Sequence, residues 1–114
     1  MREILFKGKS EQIWYYGGVF KYNMHWFIAT EDGNIFRVSP TTICQYTGLK
    51  DSEGRMIFEG DIVKTSEVVS AYGTDTFTID FAEGNFYICN TGTIATLRSW
   101  AEMVKVVGNI YDNN

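Results

Sequence analysis

The sequence predicts a mainly β protein: a small barrel or sandwich of short antiparallel strands with one or two short helical turns. Three observations predict it. Thr76-Phe77-Thr78-Ile79-Asp80-Phe81 alternates polar and apolar residues without a fault, the pattern of a strand with one buried face. Turn signals recur at short intervals between aromatic and β-branched runs. Helix signals are sparse, and the chain contains a single proline. At 114 residues and 45% hydrophobic content, the length suits one domain spanning 1–114, and disorder is excluded as the main state.

Taken in order, Trp14-Tyr15-Tyr16 forms the first aromatic strand signal, and its alternation sends Tyr15 to the opposite face from its two neighbours. Tyr22 to Thr30 and Asn34 to Val38 read as strands flanking Glu31-Asp32-Gly33, where glycine supplies the positive φ of a bulged hairpin loop. Ser39 before Pro40 is a helix-start signal that predicts one helical turn over Pro40-Thr41-Thr42-Ile43. Asp51-Ser52-Glu53-Gly54 is a second hairpin-type loop. Gly60-Asp61 is a turn feeding the β-branched pair Ile62-Val63, with the aspartate able to hydrogen-bond amides ahead of it. Glu83-Gly84-Asn85 joins the alternating strand to a return strand, Phe86-Tyr87-Ile88-Cys89. Within Thr93 to Met103, Leu97, Trp100, Ala101 and Val104 fall at helical spacing, which predicts a short helix or turn there; Val104 to Ile110 closes the chain as a strand.

Charge bounds the partners. Ten basic against fourteen acidic residues give a net charge of −4, which argues against nucleic acid gripped by its phosphates. Thr65 to Leu97 holds four acidic residues (Glu67, Asp75, Asp80, Glu83) and no basic one, a run read as solvated strand faces and turns. Met1 to Lys9 holds only Ile4-Leu5-Phe6 as an apolar stretch, too short for a signal peptide, and no run reaches the length of a membrane span. Cys44 and Cys89 show no CxxC spacing, and they are expected as free buried thiols in a reducing cytoplasm.

A set of motifs carries a family resemblance. Gln45-Tyr46-Thr47-Gly48-Leu49-Lys50-Asp51, Gly54, and then Ile57-Phe58-Glu59-Gly60-Asp61-Ile62-Val63 closely resemble the signature of the YopX family of phage and prophage proteins. Met1 to Lys9, Trp14 with Tyr16-Gly17, and the closing Gly108-Asn109-Ile110-Tyr111 with its flanks look like that family's remaining blocks, in family order. The resemblance implies a small, mostly β protein encoded by a phage or prophage and so placed in the cytoplasm of a bacterial host cell, of unassigned biochemical role, with no catalytic or cofactor residues to carry over. The chain departs from the pattern between Thr91 and Met103, and in ending at Asn114. The shared residues have their own physical reading: Tyr46, Leu49, Ile57, Phe58, Ile62 and Val63 are apolar positions around bends at Gly48, Gly54 and Gly60, as a fold needs in order to close.

Chemical motifs point away from an enzyme. His25 is the sole histidine, so every triad would have to use it, and no nucleophile elbow, phosphate loop or zinc-protease motif occurs. Glu59 with Asp61, and Asp80 with Glu83, are carboxylate pairs at turns without a third ligand at metal-like spacing, and His25, Cys44 and Cys89 are far apart in sequence. No metal or cofactor is expected. Binding reads better, because three Trp, seven Tyr and eight Phe exceed what a core of this size must hide. Trp14, Tyr15, Tyr16 and Trp26 are the candidate interface residues. The expected role is a non-catalytic binding module for a phage or host protein, or for a second copy through an aromatic face or a sheet edge. Two alternatives are an uncharacterised enzyme using clustered carboxylates and a single-stranded nucleic-acid binder pairing Trp14, Tyr16 or Trp26 with Lys7, Lys9, Lys21 and Arg37.

Overall fold

A computed structural model describes residues 5–65, 76–90 and 93–112. It is mainly β, with two antiparallel sheets of six and five strands, neither closed into a barrel. The chain divides into two compact units, Met1–Tyr46 and Thr47–Asn113.

The first unit contains β1 (Phe6–Ser10), β2 (Ile13–Tyr22), β3 (His25–Ala29), β4 (Ile35–Val38), a 3-10 turn at Pro40–Thr42 and the start of β5 (Cys44–Lys50). Its strands lie in the order β4-β3-β2-β1-β5. Two-residue turns join the first three. Glu11 and Gln12, and again Asn23 and Met24, all have positive φ between 50° and 76°, the hand that matches strand twist. The expected strand from Tyr22 to Thr30 is therefore interrupted: Tyr22 ends β2, Asn23-Met24 turns, and β3 begins at His25. The bulged loop before β4 is as expected, with Gly33 at φ 91° and its N–H donating to the Thr30 carbonyl. The proline-led helical turn is present as well.

Register separates the two faces of this sheet. Val19, Ile28 and Phe36 stand side by side on the inner face, where the Tyr15 ring stacks on Phe36 at 3.9 Å. Ile28 and Val38 are buried there. The end of β4 returns to β1: the Ser39 N–H donates to the Lys9 carbonyl, and the Lys9 N–H donates to Thr42 Oγ1. Gly8 permits this approach, since a Cβ on it would lie 3.0 Å from the Val38 side chain. Gly17 permits another, because a Cβ there would collide with the Ala29 carbonyl oxygen.

The second unit holds the end of β5, β6 (Met56–Phe58), β7 (Asp61–Lys64), β8 (Thr76–Ala82), β9 (Asn85–Asn90), β10 (Thr93–Thr96), a one-turn helix α1 (Leu97–Trp100) running into a 3-10 turn (Ala101–Met103), and β11 (Lys105–Asn109). Its five-stranded sheet has the order β10-β9-β8-β7-β11. Ile57, Val63, Phe77, Ile79, Ile88, Leu97, Ala101 and Val104 form the buried core. The helical spacing from Leu97 onward is realised, and the Thr93–Thr96 half of that segment is a strand instead. Pairing explains the difference, since all four of those residues are in register with β9 and three are β-branched. Glu67, Asp75 and Thr91 lie outside the described residues.

Candidate interaction face

The outer face of the first sheet is built by the Asn23-Met24 turn. A two-residue loop pairs Tyr22 with His25, Phe20 with Phe27 and Gly18 with Ala29, and the next hairpin sets Arg37 beside Phe27 and Ile35 beside Ala29. Directly paired residues share a face. One surface therefore carries Tyr22-His25, Phe20-Phe27-Arg37 and Gly18-Ala29-Ile35 as successive rows. The Phe20 and Phe27 rings stack at 5.3 Å, yet Phe20 remains 38% exposed, Tyr22 71% and Ile35 58%. Nothing would contact a Cβ on Gly18, so this row is a shallow trough between larger side chains. His25 and Arg37 are exposed at its margins. The arrangement is an apolar centre with a polar rim.

The residues expected at an interface separate across the sheet. Tyr16 is exposed and lies on the outer side, in line with Phe20 and Tyr22 along β2. Trp14 is on the same side but half-buried, opposite Lys9 in register, with the Lys7 ammonium 4.5 Å and the Lys9 ammonium 5.5 Å from its ring centroid. Tyr15 turns to the inner face against Phe36. Trp26 shares that inner face with Val38, and Lys21 stands over its ring at 5.7 Å. Phe20 and Tyr22, both exposed on this face, and the half-buried Phe27 stacked on Phe20 are not among the residues expected at an interface. The signal that locates them is the turn at Asn23-Met24, which fixes their pairing.

The same positions divide the nucleic-acid constellation. Lys7 and Lys9 are buried, with their ammonium groups held over aromatic rings. Lys21 and Trp26 face the side opposite Phe20 and Arg37. The first unit carries five basic and four acidic residues, against five and ten in the second.

The family-signature residues serve a different purpose. Asp51 sits in the β5–β6 loop, where one carboxylate oxygen accepts the N–H groups of Glu53 (2.8 Å) and Arg55 (2.9 Å) and the other accepts that of Val106 (2.8 Å). Burial opposes its charge, but these three donors together with the Arg55 charge outweigh it and hold the carboxyl below its ordinary pKa. Asp61, almost fully buried, accepts the Phe58 N–H on one oxygen and the Asn109 side-chain amide on the other, at 2.8 and 2.9 Å. Asn109 in turn accepts the Tyr111 N–H on its side-chain oxygen and donates its own N–H to Asp112. Gly60 donates to the Ile79 carbonyl and accepts from Ile110, while Thr47 Oγ1 donates to the Ile57 carbonyl. Gly48, Gly54 and Gly60 all have φ near 80–85°. Tyr46 donates its N–H to the Leu5 carbonyl, and Gln45 pairs with Phe6. Val63 is fully buried; Ile62, Leu49, Glu59 and Gly108 flank these ties. The central and closing motifs are thus joined to one another by side-chain hydrogen bonds across as many as 55 residues.

Remaining reactive groups are muted. Burial, followed by the nearby Asp80 charge and its hydrogen bond, raises the Cys89 pKa and keeps the thiol protonated. Cys44 is buried, with its Sγ donating to the Thr42 carbonyl. Among the described residues no three His, Cys, Asp or Glu side chains gather at metal-holding distance, and no helix is long and apolar enough to cross a membrane. A family model described as YopX protein matches residues 4–114. No curated protein matches the chain.

Proposed function

We propose that this chain, which belongs to the YopX family, is a small non-catalytic binding module that takes a phage or bacterial host protein on the outer aromatic face of its first unit. The observation that carries this reading is the outer surface on which Phe20, Tyr22 and Ile35 are exposed around the half-buried Phe27, with Arg37 and His25 at its rim. Apolar area of this kind is costly to leave in water and gains by being covered. Protein is favoured over single-stranded nucleic acid because Lys7 and Lys9, two of the four cations that alternative needs, are buried against the Trp14 and Tyr16 rings rather than presented to phosphates. The family resemblance supports a phage setting and a host cytoplasm, and the muted thiols support a role without nucleophilic chemistry.

The test compares proteins captured from phage-bearing host cells by the wild type, by Phe20→Ser and by Phe81→Ser. Phe81 is an exposed aromatic of the second unit and serves as the control. Partners that depend on this face disappear with Phe20→Ser and persist with Phe81→Ser. Identical captures from all three would remove the face as the binding surface. Oligonucleotide binding with a steep salt dependence would replace the protein reading with the nucleic-acid one.

A further inference from the structure

Arg37 is the charged neighbour of the stacked Phe20-Phe27 pair. The Thr30 N–H donates to the Asn34 carbonyl at the head of the β3–β4 hairpin. Hydrogen-bonded and non-bonded pairs alternate along an antiparallel ladder, so Phe27 and Arg37 form a non-bonded pair, the kind in which side chains stand closest. Arg37 is exposed there, and among the described residues no carboxylate pairs with its guanidinium. The described acids of the first unit lie elsewhere. Glu11 is in the β1–β2 turn, and Glu31 and Asp32 are in the β3–β4 loop, where Asp32 accepts from Thr30 Oγ1 and the Asn34 side-chain amide. The rows of this face thus contain Arg37 and His25 and no carboxylate.

That composition constrains whatever covers the face. A standard interface takes about 800 Å² from each partner, and Arg37 is one strand, about 5 Å, from Phe27. A protein seated on Phe20 and Phe27 therefore withdraws Arg37 from water as well. A guanidinium keeps its charge, so it loses its hydration with nothing in these rows to replace it. A carboxylate on the partner offsets that cost through a two-pronged hydrogen bond, and an amide or a lysine in the same place does not. A phosphate also suits a guanidinium, but a nucleic-acid strand presents phosphates in series. The lysines that would continue such a series, Lys7 and Lys9, are buried.

We infer that the protein taken by this face presents an acidic residue to Arg37, flanked by apolar side chains that cover Phe20 and Phe27. The inference rests on the reading of this face as a protein-binding surface and adds the chemistry of what it takes. Arg37 is then the specificity-determining residue. It acts by attracting a carboxylate and by rejecting segments that would leave its charge buried and unpaired.

A random peptide library panned on the immobilised chain tests this without a natural partner in hand. Peptides held by the wild type and lost on Phe20→Ser define the binders of the face. They are expected to be rich in Asp or Glu beside aromatic or aliphatic residues. That acidic excess is expected to vanish among peptides selected on Arg37→Gln. For a selected peptide, changing its acidic residue to the amide is expected to weaken binding to the wild type by about tenfold or more, and to leave binding to Arg37→Gln unchanged. Arg37→Lys keeps the charge without the planar fork, and is expected to retain the acidic preference at lower affinity. Arg37 is exposed, so both variants are expected to keep the wild-type thermal melt. Face-dependent peptides without an acidic excess, or an excess that persists on Arg37→Gln, would overturn the inference and leave the face standing. A library yielding no peptide lost on Phe20→Ser would overturn the face and this inference with it. Displacement of the selected peptides by a single-stranded oligonucleotide would replace the carboxylate by a phosphate and overturn the inference.

Discussion

Asp51 shows how much one carboxylate of the family signature does. Its two oxygens satisfy three backbone N–H groups from the loop and from β11. Truncation would leave those donors without their partner, and Asp51→Ala should destabilise the fold by about 3 kcal/mol in denaturant titrations. The pH dependence has a definite sign. The folded pKa lies below the unfolded one, so the stabilisation is complete above the unfolded value and is lost as pH falls through the folded one. The wild type should therefore lose stability below about pH 4 more steeply than Asp51→Asn, which has no such group to protonate. A sequence shows that an aspartate beside a glycine turn can bond local amides. It does not show that Val106 lies 55 positions away yet within reach, or that Asp61 and Asn109 meet, because those contacts exist only once β7 and β11 are paired.

At the scale of elements, the turns decide which side chains share a face. The alternation of Thr76 to Phe81, the Gly33 loop and the Pro40 turn were legible because their residues have strong local preferences. The turns at Glu11-Gln12 and Asn23-Met24 were not, since Gln12 and Met24 take φ of 76° and 70° where glycine is the usual choice. Tertiary pairing overrides the local preference, and missing the second turn hides the Phe20–Phe27 pair. Met24 is almost fully exposed, so its side chain contributes little to offset the backbone strain. Met24→Gly should raise stability by about 0.5–1 kcal/mol, measured as a higher melting temperature; a lower one would show that the methionine makes a contact worth more than the strain. The segment before Leu97 illustrates the opposite error: apolar spacing suits a helix, but register with β9 makes Thr93–Thr96 a strand.

For the whole molecule, the mainly β class and the family were readable because periodicity and motif order extend over nearly the entire chain. The division into two units was not, since β5 crosses it inside the signature itself. The outer aromatic face is only partly legible in sequence: Tyr16 is one of its expected residues, whereas Phe20, Tyr22 and Phe27 come together only through strand pairing. The central claim is that this outer face meets another protein. It is tested most directly by placing a photoreactive phenylalanine analogue at position 20, and separately at position 81, in cells that express the chain. A discrete cross-linked protein adduct from position 20, absent from position 81, is the expected result. No adduct from position 20, or the same adducts from both positions, would contradict it.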